Sequence, residues 1–197
     1  MNSPTYTPRV AEDAPLPTAG GQVDERSELR YGDGPTADAE VHVDATPDVV
    51  WPLVCDIALP ARFSAEFQGA EWLDDADGPR TGARFVGRNR HQAIGEWETT
   101  CTVVELERGR LFAYVVGDPS YPAATWTYTL APDGDGTRLA LRMRMGPARS
   151  GINLAIDAMP DKESRILRRR LGELRANMEA TLFGIKGIAE GMQTGPR

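Results

Sequence analysis

The 197-residue chain has only two cysteines, Cys55 and Cys101, and two histidines, His42 and His91. Two cysteines do not make a disulfide framework. Each sits in an apolar segment, which reads as buried free thiols in a reducing cytoplasm. The two histidines stand far apart with no acidic ligand pattern beside them, so no metal is expected. No run of about 18 apolar residues exists, which excludes a spanning helix. The N-terminus lacks the basic start and apolar stretch of a secretory signal, so a cytoplasmic protein is expected. Positive charge is the minority sign: 22 basic residues stand against 29 acidic ones, for a net charge of −7. An acidic chain repels phosphate backbones and anionic lipid heads, which argues against nucleic-acid binding and membrane insertion. A Ser/His/Asp order, a phosphate-binding glycine loop and a cysteine–histidine cluster are missing as well. The Gly-x-Arg-x-x-Gly run at 82–87 lacks the strand-before, helix-after setting of a dinucleotide site. No cofactor is expected.

What is present is enough apolar material for a core, at 41% of residues. Residues 1–38 hold little of it. Pro4, Pro8, Pro15, Pro17 and Pro35, the Gly20-Gly21 pair and many acidic residues describe a flexible tail. From Ala39 the pattern changes. Glu40–Asp44 alternates as a half-buried strand. Thr46-Pro47-Asp48 then opens a helix, with Thr46 as N-cap and Pro47 at its first position. Pro52 should kink or shorten that helix. A second short helix is expected over Ala61–Phe67.

Six strands follow: 70–73, 83–90, 96–107, 111–116, 123–130 and 138–145. Short turns between them predict an antiparallel meander. In the last strand Leu139, Leu141, Met143 and Met145 alternate with Ala140, Arg142 and Arg144, so one face is buried and the other wet. Beyond Gly146–Gly151 the period becomes helical. Leu167, Leu171, Leu174, Met178, Leu182, Ile185 and Ala189 form one stripe over some 30 residues, about 45 Å at 1.5 Å per residue. Residues 191–197 read as a disordered C-terminal tail. The fold class predicted is α+β: a curved sheet of about seven strands wrapped on a long C-terminal helix, in the order β-αα-β6-α. Such a sheet must curl, and only the last helix is long enough to cover its hollow.

Several segments carry a family resemblance. They are VHVDATPDVVWPLVCDI at 41–57, GARFVGRNR at 82–90, Trp97–Cys101, Phe112-Ala113-Tyr114 and Trp126-Thr127-Tyr128. The chain resembles the START-like superfamily, also called SRPBCC or the Bet v 1-like helix-grip fold. Within it, the chain is similar to actinobacterial polyketide cyclase/dehydratase-like proteins. The match covers about residues 39–190, and Pro52 departs from the more usual polar residue there. The resemblance implies a helix-grip domain with an internal cavity for a small hydrophobic ligand. It does not decide between a lyase or isomerase acting on a polyketide-like intermediate and a carrier or sensor of a lipid-like molecule. Monomer and homodimer both stay open.

Candidate site residues follow from strand phase. Phe85, Gly87, Asn89 and His91 share one face, which Phe85 marks as inward. Asn89 then offers an amide inside an apolar pocket, or ties down neighbouring backbone. His91 ends the strand at the cavity mouth, as a general acid–base group or an exposed loop residue. His42 points away from Val41 and Val43 and is read as inert. The phase of 96–107 is ambiguous. Val104 and Leu106 would turn Glu98 and Thr100 inward, Trp97 and Cys101 would turn them outward, and a bulge would reconcile the two. An inward Glu98 would be a candidate base. Tyr114 is a third catalytic candidate, for polarising a carbonyl. Trp51, Phe85, Thr100, Phe112, Trp126, Tyr128, Met143, Met145 and Met178 are candidate ligand-binding wall residues, with core packing as the competing reading for Tyr114, Trp126, Tyr128 and the two strand methionines. Arg168-Arg169-Arg170 reads as a solvated helix face or a basic docking spot.

Overall fold

The computed structural model describes residues 28–193. Seven strands form one antiparallel sheet in the order β1-β7-β6-β5-β4-β3-β2. They are β1 (Thr36–Val43), β2 (Phe67–Trp72), β3 (Arg84–His91), β4 (Gly95–Glu107), β5 (Leu111–Asp118), β6 (Tyr121–Asp133) and β7 (Gly136–Met145). Helix α1 (Pro47–Cys55) follows β1, α2 (Ile152–Ala158) follows β7, and α3 (Glu163–Gln193) closes the chain. The predicted helix-grip architecture is present: the sheet curls around α3. The predicted stripe is the face it grips, with Leu167, Leu174, Met178, Leu182, Ile185 and Ala189 all buried.

The local chemistry explains most of the elements and several departures. Thr46 takes the N-cap position of α1, but its hydroxyl makes no capping bond. Helix α1 ends at Cys55, three residues beyond Pro52, whose ring removes an N–H from the ladder. The second helix expected over Ala61–Phe67 is instead a single 3-10 turn, Leu59–Arg62. Ser64 Oγ accepts hydrogen bonds from the N–H groups of Glu66 (3.1 Å) and Phe67 (2.9 Å), which turns the chain out of helix and into β2. Helix α2 was not anticipated.

Strand β1 begins at Thr36, so the expected domain start at Ala39 falls inside it. Just before β1, Tyr31 is buried, and its hydroxyl donates to the Ala148 carbonyl at 2.6 Å. The Tyr31 N–H donates to Glu163 Oε1 at 2.7 Å, which ties this segment to the start of α3. Residues 1–27 of the expected tail lie outside the described residues, as do residues 194–197 of the C-terminal one. Helix α3 itself continues through Gln193.

The ambiguity in β4 is resolved by a bulge. The β4–β5 register shifts between Val103 and Glu105, leaving Val104 exposed. Trp97, Thr99, Cys101 and Val103 therefore face the hollow, and Leu106 rejoins them only after the extra residue. Thr100 and Glu98 face outward.

Candidate functional site

A partly open cavity lies between the middle of α3 and the β3–β6 part of the sheet. Its floor is aromatic. Phe85 meets Trp72 and Tyr114 edge-on at 5.5 and 5.1 Å between ring centroids. Tyr114 lies near-parallel to Trp126 at 6.4 Å, and Phe112 to Tyr128 at 6.3 Å. These are cross-strand neighbours: Tyr114 pairs with Trp126 and Phe112 with Tyr128. The roof is Leu174, Asn177, Met178 and Thr181 of α3. Pro60, Ser64, Glu66 and Phe67 close one side, and Val54, Asp56 and Ile57 another. Gly87 makes room for the Phe67 ring, which would sit 3.1 Å from any added Cβ. The enclosed space is about 100 Å³, below the roughly 300–1,000 Å³ of a typical small-molecule pocket.

The polar lining sorts into two sets. One is committed to the fold. Asp56 Oδ1 accepts from the N–H groups of Ala58 and Leu59. Asn177 Oδ1 accepts from the Ala65 N–H at 2.8 Å, and its Nδ2 donates to the Glu173 carbonyl. Thr181 Oγ1 donates to the Asn177 carbonyl. The Glu66 carboxylate is gripped by the Arg170 fork, Nη1 to Oε2 at 2.5 Å and Nη2 to Oε1 at 2.6 Å. Burial is the largest single influence on Arg170 and opposes its charge, but hydrogen bonding and charge attraction from Glu66, with Glu173 adding to them, together outweigh it, so its pKa is raised.

The second set has no hydrogen-bond partner among the described residues: the Tyr114 and Tyr128 hydroxyls, the Asn89 amide and the Trp126 indole N–H. Among the described residues, no buried side-chain polar atom is both sealed and unpaired, so these groups meet the open space. Burial pushes both phenols above their ordinary pKa, and for Tyr114 the neighbouring Tyr128 and Cys101 add to it. Both phenols therefore stay protonated near neutrality and act as donors. Burial also pushes the inward Cys101 thiol up to about 12, which makes it a poor nucleophile.

Of the candidate residues, Asn89, Tyr114, Phe85, Phe112, Trp126, Tyr128 and Met178 line the cavity. The others lie elsewhere. Glu98 sits on the outer face, 63% exposed, and pairs with Arg88 at 3.2 Å. Thr100 is exposed on the same face. Met143 and Met145 are core residues between neighbouring strands and helix. Trp51 packs half-buried on α1 away from the cavity. His91 closes the β3–β4 turn: its Nδ1 accepts from the Ala93 N–H, and its Nε2 stands 3.6 Å from Glu173 on α3. It does not line the cavity. His42, read as inert, is exposed between Asp133 and Asp44. Arg170 is neither solvated nor a docking group. The sequence reading missed Glu66, because a lone acidic residue between two elements looks like surface.

Among the described residues, no group of three or more His, Cys, Asp or Glu is placed to hold a metal, and no helix is long and apolar enough to cross a membrane.

Residues 35–179 match the family model described as polyketide cyclase / dehydrase and lipid transport. A search of curated protein sequences finds no match. Among solved structures, a polyketide-cyclase-like protein of Corynebacterium glutamicum is 29% identical, with a TM-score of 0.56, over 81% of this chain and 93% of that one. The Zhui aromatase/cyclase of a Streptomyces species is 20% identical, with a TM-score of 0.56, over 82% and 96% of the two chains. The allergen Ara h 8.0201 shares 10% identity at a TM-score of 0.52, over 80% and 98%. The last two likenesses concern the fold alone.

Proposed function

Because the chain belongs to the polyketide cyclase / dehydrase and lipid transport family, we propose that it binds a compact, planar, carbonyl-bearing apolar molecule and promotes its cyclisation or dehydration. The observation that carries this reading is the unsatisfied donor set above an aromatic floor. Phenols at Tyr114 and Tyr128 that keep their protons, with the Asn89 amide and Trp126 N–H, suit a carbonyl oxygen and leave an apolar ligand's rings to the aromatic side chains. Donors aimed at a carbonyl also stabilise the charge that grows on its oxygen as a carbon nucleophile attacks. Holding a flexible chain in one reactive fold removes several kcal/mol from a barrier.

A second reading, a carrier or sensor of a hydrophobic ligand, is favoured by the protonation state of those same phenols. Among the described residues, the two carboxylates lining the cavity are engaged elsewhere: Glu66 takes the Arg170 fork, and Asp56 Oδ1 accepts from the Ala58 and Leu59 N–H groups, while His91 lies outside.

Two measurements test these readings. Acetonaphthone and ethylnaphthalene differ by one carbonyl oxygen. The protein should bind the ketone about tenfold tighter, the worth of one good hydrogen bond in a dry site. Tyr114→Phe together with Tyr128→Phe should erase that preference while keeping the hydrocarbon's affinity. Equal affinity for both compounds in the wild type would remove the donor-set argument. Incubation with a short poly-β-ketone thioester then separates enzyme from carrier: faster loss of water than in buffer supports catalysis, and unchanged kinetics with retained binding supports the carrier.

A further inference from the structure

The cavity is smaller than the ligands its lining suits, and one of its walls is attached to the helix rather than built from it. That wall is the segment from Pro60 to Glu66, which runs antiparallel along α3. Three fastenings hold it. The Phe63 ring lies on Gly184, so close that a Cβ there would be 2.4 Å from the ring. The Ala65 N–H donates to Asn177 Oδ1 at 2.8 Å. Glu66 takes the bidentate Arg170 fork at 2.5 and 2.6 Å. Arg170, Asn177 and Gly184 recur every seven residues and so share one helix face.

The spacing shows which fastening is the adjustable one. From Arg170 to Gly184 the helix rises about 21 Å, whereas Phe63 to Glu66 spans at most about 11 Å of chain. Side-chain length covers the difference, and most of it is the Arg170–Glu66 pair. Arg170 also has a second acceptor in reach: Glu173 Oε2 lies 3.6 Å from its Nη1. If Glu66 leaves for solvent, the guanidinium keeps a carboxylate partner, so neither charge is stranded. Beyond Glu66 the chain is anchored again, because the Arg90 N–H donates to the Glu66 carbonyl at 2.9 Å. The segment can lift at its side chains without leaving the sheet edge.

We propose that Pro60–Glu66 is the gate of the cavity and the Glu66–Arg170 pair its latch. Ligand enters when the pair opens and the strap lifts from α3. The proposal rests on the reading that the cavity binds an apolar ligand, and it adds how that ligand gets in. Arg170 and Glu66 are thus positioning residues for the gate and touch no reacting atom.

Stopped-flow binding of anilinonaphthalene sulfonate and hydrogen exchange of the strap amides test it together. In Glu66→Gln, association and dissociation should both speed up, on the order of tenfold, while affinity shifts far less. Exchange should rise at Ala65 and Phe67 and stay unchanged in β5 and β6. Replacing both partners with apolar residues, Glu66→Leu with Arg170→Met, should restore slow binding and protected amides, because an apolar pair reseals the strap. Unchanged association and unchanged strap exchange in Glu66→Gln would overturn the gate while leaving ligand binding intact. If the wild type fails to bind the probe yet exchange rises locally as described, the strap stands and the cavity reading falls. A global loss of protection in Glu66→Gln would make the pair a structural tie and would also overturn the gate.

Discussion

Between β1 and β7 the helix meets the sheet without a gap, and between β3 and β6 it does not. On the first side, Ala37, Val43, Leu139 and Met143 of the sheet and Leu182, Ile185 and Ala189 of α3 are all 2% exposed or less. Small residues on the β1 edge let α3 settle there, and most of its contacts with the sheet fall on β1. On the second side, Phe85, Phe112, Tyr114, Trp126 and Tyr128 stand on the same concave surface, but the helix is too far across to interdigitate with them. Five large rings that pack on each other rather than on the helix leave a hollow. One straight rod laid along one edge of a curled sheet gives a filled half and an open half, and function is expected in the open half.

The largest expected effect should come from the filled half. Leu182→Ala removes a side chain with nowhere for its neighbours to relax, so urea unfolding should show a loss of about 2–5 kcal/mol. A loss under about 1 kcal/mol would mean that the filled half also contains slack.

A glycine pair on α3 sharpens the contrast at a smaller scale. Both Gly184→Ala and Gly187→Ala gain helix propensity. Gly187 has nothing within 4 Å of an added Cβ, whereas Gly184 lies under Phe63. Gly187→Ala should stabilise by up to about 1 kcal/mol, and Gly184→Ala should destabilise by about 1–3 kcal/mol. Thermal melts that give the two substitutions the same sign would contradict the strap contact.

The smallest effect concerns the rim of the filled half. His42 stands between two carboxylates, its Nδ1 3.0 Å from Asp133 and its Nε2 3.0 Å from Asp44, and the protonated ring donates to both. Hydrogen bonding to Asp133 is the main influence raising its pKa, desolvation opposes it, and Asp44 adds to the rise. A raised native pKa stabilises the fold fully below the ordinary imidazole range and loses that contribution as pH rises through the native value. Melting temperatures between about pH 5 and 9 should therefore fall slightly through the raised native pKa in the wild type, and His42→Gln should flatten that component. A steeper fall in the variant would reverse the sign and refute the assignment.

The strands, their meander and the stripe of α3 were legible in the sequence because alternation and three–four spacing report burial directly. Three features were not. A single extra residue at Val104 reverses the phase of β4, so the same strand supports opposite faces for Glu98 on its two sides. Asn177 and Thr181 look like the wet face of a helix, yet the cavity lets polar residues face inward there. Arg168, Arg169 and Arg170 are alike in sequence, but successive residues point about 100° apart, and only a partner distant in the chain, Glu66, distinguishes the third. The aromatic floor was legible as a set, because cross-strand rings recur at matching positions in consecutive strands.

The most direct test compares the two halves in one assay. Equilibrium titration with anilinonaphthalene sulfonate is run on the wild type, on Trp126→Ala from the open half and on Ile185→Val from the filled half. One saturable site is expected in the wild type, weakened about tenfold or more by Trp126→Ala and left within about twofold by Ile185→Val. Equal affinity in the wild type and a folded Trp126→Ala would contradict the claim that the open half is where this protein holds its ligand.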